Sequence, residues 1–322
     1  MSAGPSLEDI RAAARRIYPY IHRTPVMTCA ALDEMAGARL FFKCENFQKT
    51  GSFKMRGASN AIFLLPEETA ARGVVTHSSG NHAAAVARTA RERGIPAWIV
   101  MPTNAPRTKH IAVEGYGGQV TECAPTLESR ESEMQRIRER TGATLIHPYN
   151  DERVIAGQGT AALELLEDVR DLDAPDLDAI IAPVSGGGLL SGTAITAKSQ
   201  QRPLRVFGAE PQNADDAFRS LASGRLEPAA DAYTIADGLR ATLSSLTLSI
   251  LNERVDAIGL VTESEIPWAM RMVWERMKII IEPSSAVPVA ALLLHRLPAE
   301  RLRVGVILSG GNLDFDHLPF GG

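Results

Sequence analysis

The chain has 322 residues, 45% of them hydrophobic and 22% charged, an ordinary globular composition with room for roughly two domains. A net charge of −4 without any Lys/Arg cluster argues against nucleic acid, and no apolar run reaches a membrane span, because Ile279 to Leu294 is interrupted by Glu282, Pro283 and Pro288. Cys29, Cys44 and Cys123 are too scattered for a disulfide framework or a zinc site, and no signal-peptide core precedes the first helix, so a cytoplasmic location is expected.

In chain order, Ser6 caps an amphipathic helix with acids in its first turn. Arg39 to Cys44 reads as a buried strand, followed by a polar turn broken at Gly51. Ser52 is then expected as the N-cap of a helix from Lys54 to Leu65, ended by Pro66. Short apolar runs alternate with helical patterns from there onward. Strands are expected at 73–77, 97–101, 119–123 and 144–147, each followed by a helix. The helices begin at His82, Arg107, Leu127 and Val154. Longer elements follow: strands at 178–184, 205–210, 256–261 and 304–308, with helices from Leu190, Ser264 and Ser284. Alternation of this kind specifies an α/β protein with mostly parallel sheets covered by helices. Two domains are expected, 73–148 as a small one and 1–72 with 149–322 as a large one, and the site is expected in the cleft between them.

Four polar loops fall at strand ends. In the first, Lys54 enters the opening turn of its helix, where the positive end of the helix lowers the amine pKa and favours Schiff-base chemistry. The second, Ser78-Ser79-Gly80-Asn81-His82, is either a plain N-cap or an anion pocket for a carboxylate or phenolate. Ser185-Gly186-Gly187-Gly188-Leu189 follows a strand and opens a helix; it is either a tight turn or a phosphate cradle, and it matches neither the Walker loop nor the dinucleotide fingerprint. Gly157-Gln158-Gly159 fits the looser dinucleotide pattern but lies inside a helical run, so it is read as chance. Ser309-Gly310-Gly311-Asn312 ends the last strand with a hydroxyl at the edge where open α/β sheets bind ligands. An amine, a phosphate cradle, a carboxylate pocket and a hydroxyl in one cleft ask for pyridoxal phosphate and an amino acid.

Lys43-Cys44-Glu45-Asn46-Phe47-Gln48-Lys49-Thr50-Gly51-Ser52-Phe53-Lys54-Met55-Arg56-Gly57-Ala58, the two serine-glycine loops, the triple glycine and Glu282-Pro283-Ser284-Ser285-Ala286 occur in the order of a known family. Over essentially its whole length the chain resembles the fold-type-II pyridoxal phosphate enzymes (tryptophan synthase β-like), in the branch holding serine racemase and the short threonine/serine dehydratases. The resemblance implies that Lys54 carries the cofactor as a Schiff base and later acts as general base, and that Phe53 and Gly238 pack on the two faces of its ring. It also implies that Asn81 meets the ring hydroxyl, Ser185, Gly186, Gly187, Gly188 and Leu189 the phosphate, and Ser309 the ring nitrogen. Substrate would meet Ser78, Ser79, Asn81, His82 and Arg130, with Ser79 returning a proton on the opposite face in a racemase. Arg130 is otherwise an exposed helix arginine paired with Glu131 or Glu133. Glu210, Ala214 and Asp216, by themselves a charged loop, are implied as a Mg²⁺ or Ca²⁺ site. The activity implied is dehydration of serine, threonine or 3-hydroxyaspartate to a 2-oxo acid and ammonia, with amino-acid racemisation as the alternative, in a homodimer. A regulatory phosphate-binding module would keep the glycine loop and leave Lys54 inert.

Overall fold

Short apolar runs that are buried on both faces can lie side by side in parallel only when helical crossovers connect them. The computed structural model describes residues 4–78, 80–105, 107–172, 176–229 and 233–320. Its strands are β1 (Val26–Met27), β2 (Arg39–Cys44), β3 (Val74–His77), β4 (Ala97–Pro102), β5 (Gln119–Cys123), β6 (Thr144–Leu145), β7 (Ala179–Pro183), β8 (Arg205–Pro211), β9 (Ala257–Val261) and β10 (Arg303–Leu308). A six-stranded sheet runs β1-β2-β10-β7-β8-β9, and a four-stranded sheet runs β5-β4-β3-β6. Among the described residues only β1 is antiparallel, against β2; the other pairings are parallel. Parallel order brings the carboxyl ends of β2, β7 and β10 to one edge of the larger sheet, which is where three of the four polar loops emerge.

Several elements differ from the sequence reading, each for a local reason. Ser52 does not cap the lysine helix: it bridges to Gly310 and stands one residue before the N-cap position, which Phe53 takes in helical backbone, so the helix Lys54–Phe63 begins without a side-chain cap. The strand expected over 144–147 pairs only at Thr144 and Leu145. Beyond it the chain turns, and His147 Nδ1 accepts the amides of Tyr149 (3.3 Å) and Asn150 (2.9 Å). Asp151 then caps a helix, Glu152–Asp171, that starts two residues earlier than expected. Helices over Ala30–Ala36, Asp216–Ser223 and Ser245–Arg254 add to the expected set; the last is opened by a capping box of Ser244 and Thr247.

Gly157 and Gly159 have a packing role. A Cβ on Gly157 would lie 2.6 Å from the Arg56 carbonyl oxygen, and one on Gly192 2.5 Å from that of Ile155. The helix Glu152–Asp171 can therefore cross both the lysine helix and the helix Gly188–Lys198 at backbone contact distance, which holds the lysine and the triple glycine in fixed relation. A buried ion cluster strengthens the same junction. Arg56 donates to Glu45 at 2.7 Å through Nε and Nη2 and to Glu164 at 2.8 Å, while Lys43 reaches Asp168 and Glu164, both at 2.9 Å. Removing one member would strand an uncompensated charge, a loss of about 3–5 kcal/mol.

Candidate active site

Phe53 N donates to the Ser309 carbonyl at 3.0 Å and Gly311 N to the Gly51 carbonyl at 2.9 Å, so the lysine loop is sewn to the end of β10. Lys54 opens its helix on this base, half-buried, with Nζ donating to the Pro148 carbonyl at 3.1 Å and lying 5.0 Å from the Phe53 ring centroid. Burial pulls its amine down to about 8 against the opposing charge of Glu282. The direction is the one expected, but the main cause is desolvation rather than the helix terminus. An amine of this kind is a competent nucleophile near neutral pH.

The triple-glycine loop follows β7. Ser185 (φ +54°) and Gly187 (φ +83°) both take left-handed backbone, an uncommon state for serine, and Gly187 N closes the turn on the Val184 carbonyl at 3.1 Å. Gly188 and Leu189 are the first residues of their helix, so their amides have no intrahelical acceptor and are free for an anion. Tyr149 lies against the same loop, where a Cβ on Gly186 would fall 2.3 Å from its Cδ1. These features fit a phosphate group.

The loop after β3, on the smaller sheet, meets the larger sheet's loops through Asn81. Ser78 Oγ accepts the Gly80 amide at 3.4 Å, and Ser79 lies outside the described residues. His82 is 2% exposed, its Nε2 donating to the Ile146 carbonyl at 2.9 Å, and burial beside Lys54 drives the ring down to about 3. Its imidazole is therefore neutral and turned inward, and its backbone amide, second in the helix Asn81–Arg93, is the group available to an anion. Asn81 Nδ2 donates to both Glu282 oxygens (2.9 and 3.1 Å), and its Oδ1 accepts from Asn312 Nδ2 at 2.9 Å. Asn312 also binds the Thr50 carbonyl at 2.7 Å and, through its amide, Glu282 at 3.1 Å. This network joins three of the loops and fixes the Asn81 amide. Burial and Asp237 push the Glu282 carboxyl up to about 8.

Ser309 is 2% exposed, its Oγ 3.1 Å from that of Ser285. Gly238 is exposed, its amide donating to Ser284 Oγ at 3.1 Å, and the neighbouring Asp237 forms an ion pair with Lys109 of the helix Arg107–Gly115. Arg130 donates through Nε to its own helix at Thr126 (3.3 Å); burial lowers the pKa of His77, at the end of β3, and the nearby charge of Arg130 lowers it further. The alternative pairing with Glu131 or Glu133 is not formed among the described residues; Glu133 is engaged with Arg136.

Glu210, Ala214 and Asp216 gather where β8 ends, remote in sequence from these loops. Glu210 and Asp216 are each 1% exposed, and burial raises both, Asp216 to about 6 and Glu210 well above its ordinary value with Asp216 adding to the effect. Glu210 Oε2 accepts the Phe218 amide at 3.0 Å, and its Oε1 is buried without a partner. Two neighbouring buried carboxyls and an orphaned oxygen fit a hard cation. No group of three or more His, Cys, Asp or Glu side chains placed to hold a metal ion occurs among the described residues, so backbone carbonyls and water would have to complete such a site.

The site residues that sequence reasoning left without a role are Glu282, Asn312, Ser284, Ser285 and the Pro148 carbonyl. A usable signal existed for one of them: Glu282 is a lone carboxylate closing the apolar run Ile279-Ile280-Ile281, where an acid stays only if it is held.

Comparison with known proteins gives the family. A family model described as "Pyridoxal-phosphate dependent enzyme" matches residues 17–310. The chain is 53% identical over 317 residues to a serine racemase of Dictyostelium discoideum, covering 97% of this chain and 96% of the relative. It is 48% identical over 316 residues to a beta-hydroxyaspartate dehydratase of Paracoccus denitrificans, covering 98% and 99%. Among solved structures, a T.th. threonine deaminase superposes with a TM-score of 0.91 at 45% identity, covering 97% and 99% of the two chains. The chain belongs to the pyridoxal-phosphate-dependent enzymes.

Proposed function

We propose that this enzyme eliminates the 3-hydroxyl of a small 3-hydroxy amino acid, with net conversion to a 2-oxo acid and ammonia. The observation that carries the reading is the neutral hydroxyl of Ser309, where an acid would instead protonate the cofactor ring and prolong the life of a carbanion. Pyridoxal phosphate, when bound, supplies an electron sink that acidifies the substrate's α-carbon. Lys54 would hold it, with the amides of 185–189 on the phosphate, Asn81 at the ring hydroxyl and Ser309 at the ring nitrogen. Phe53 and Gly238 would close its two faces. The Lys54 amine, brought near neutrality by burial, accepts the α-proton. The amides at the start of the helix Asn81–Arg93, with Ser78 and Ser79, bind the α-carboxylate.

Arg130 favours 3-hydroxyaspartate within the substrate class. It faces the His77 end of the cleft, forms no ion pair among the described residues and suits a second carboxylate. The dehydratase named for hydroxyaspartate, at 48% identity, supports the same choice. Racemisation is the second reading, supported by 53% identity to a serine racemase. A divalent cation held by Glu210, Asp216 and the Ala214 carbonyl, the division into 73–148 and the rest, and a homodimer belong to the same proposal. Release of 2-oxo acid from serine, threonine and 3-hydroxyaspartate tests it. The expected result is release, with Arg130→Ala raising KM for 3-hydroxyaspartate at least tenfold while leaving serine within about twofold. Equal losses on both substrates remove Arg130 from the account, and inversion at the α-carbon without 2-oxo acid replaces elimination by racemisation.

A further inference from the structure

Ser285 stands in the first turn of the helix Pro283–Leu293, directly behind Ser309, and both are buried. Its Oγ accepts the Gly310 amide at 2.7 Å, lies 2.8 Å from the Gly310 carbonyl, and lies 3.1 Å from Ser309 Oγ. A hydroxyl has one hydrogen to give. If Ser285 gives it to the Gly310 carbonyl, Ser309 turns its own hydrogen back onto Ser285 and offers the cleft only a lone pair. If Ser285 gives it to Ser309, the Ser309 hydrogen is released toward the cleft. The second arrangement strands nothing, because the Gly310 carbonyl also accepts the Glu282 amide at 3.0 Å.

We propose that Ser285 is a positioning residue that directs the Ser309 hydrogen into the cleft, completing a donor chain from the Gly310 amide through Ser285 and Ser309 to the ring nitrogen of the cofactor. The proposal rests on the reading of Ser309 as the partner of that nitrogen. In such a chain each donor polarises the next, so Ser285 strengthens a hydrogen bond that it does not itself make. The same pair can also reverse: a protonated ring would donate to Ser309, Ser309 to Ser285, and Ser285 to the Gly310 carbonyl. Ser285 therefore lets one hydroxyl serve the ring in its neutral state without leaving a buried group unpaired in either.

The test reconstitutes the apoenzyme with pyridoxal phosphate carrying nitrogen-15 in its ring and reads the ring-nitrogen resonance, with the phosphorus resonance as the control for cradle geometry. Ser285→Ala is expected to move the nitrogen resonance part of the way toward its position in Ser309→Ala while the phosphorus resonance stays fixed. Apoenzyme affinity for the cofactor should fall about threefold to tenfold. Ser285→Cys, of similar size but a weaker donor, should fall between wild type and Ser285→Ala, and it carries the test if the alanine variant does not fold. A wild-type resonance in both Ser285 variants, with Ser309→Ala displaced, overturns the role of Ser285 and leaves that of Ser309 standing. If Ser309→Ala is not displaced either, the reading of Ser309 falls, and the proposal falls with it.

Discussion

Removing a divalent cation should destabilise this protein most at neutral pH. Asp216 and Glu210 are buried carboxylates whose pKa values are raised in the folded state, Asp216 from 3.8 to about 6. Between those values the unfolded chain has released the proton and the folded chain still holds it. The folded state therefore binds more protons, and stability falls as pH rises through that window. For Asp216 the difference is about 3 kcal/mol, complete above pH 6, and Glu210 adds in the same direction. For a chain of this size that corresponds to roughly 5 °C in Tm. A bound cation supplies the missing positive charge and removes the penalty. Thermal unfolding of chelated protein, compared with protein in millimolar Mg²⁺ or Ca²⁺, should show little difference at pH 4 and a gap of about 5 °C or more at pH 7. Chelated Asp216→Asn should lose the Asp216 share of the pH slope and keep that of Glu210. Identical Tm values with and without cation at pH 7, together with an unchanged slope in Asp216→Asn, would refute the reasoning.

Two further outcomes follow from the cleft. Lowering the Lys54 pKa from 10.5 to about 8 raises its neutral fraction at pH 7 about 300-fold. The rate at which apoenzyme captures pyridoxal phosphate should therefore level off just above pH 8, whereas acetyl-lysine assayed beside it keeps rising past pH 10; parallel profiles would remove burial as the activating device. Gly187→Ala puts a side chain at φ +83°, with its Cβ 2.8 Å from Leu243 Cδ2 and 2.9 Å from Thr247 Cβ. Denaturant unfolding should register a loss of about 1–3 kcal/mol and cofactor titration at least a tenfold weaker affinity, and a variant unchanged in both would contradict the cradle.

Much of the site is legible because it is built from local turn chemistry. Asn81, the triple glycine and Ser309 each follow a strand within a few residues and Lys54 follows β2 after the longer loop 45–53, and parallel pairing then brings β2, β7 and β10 to a common edge without further instruction. What escapes is whatever depends on packing between distant segments. Glu282 opens a recognisable motif, but its partners stay invisible until the Asn81 and Asn312 amides converge on it from 201 and 30 residues away. Ser285 meets Ser309 across 24 residues, and nothing in either local pattern announces the pair. The Ser52 cap fails for a related reason. Serine before a helix is a strong local signal, but this one bridges to Gly310 and the N-cap position falls to Phe53, which leaves the Ser52 Oγ buried without a partner. Gly157 and Gly159 show the converse, where a ligand-like spacing arises from helices that need to touch.

The proposed chemistry needs the cofactor on the amine of Lys54. Borohydride reduction of the holoenzyme, followed by digestion and mass mapping, reads that bond. One pyridoxyl group is expected, on the peptide containing Lys54, and none on Lys54→Ala reconstituted in the same way. Recovery of the label on another lysine, with Lys54 unmodified, would contradict it.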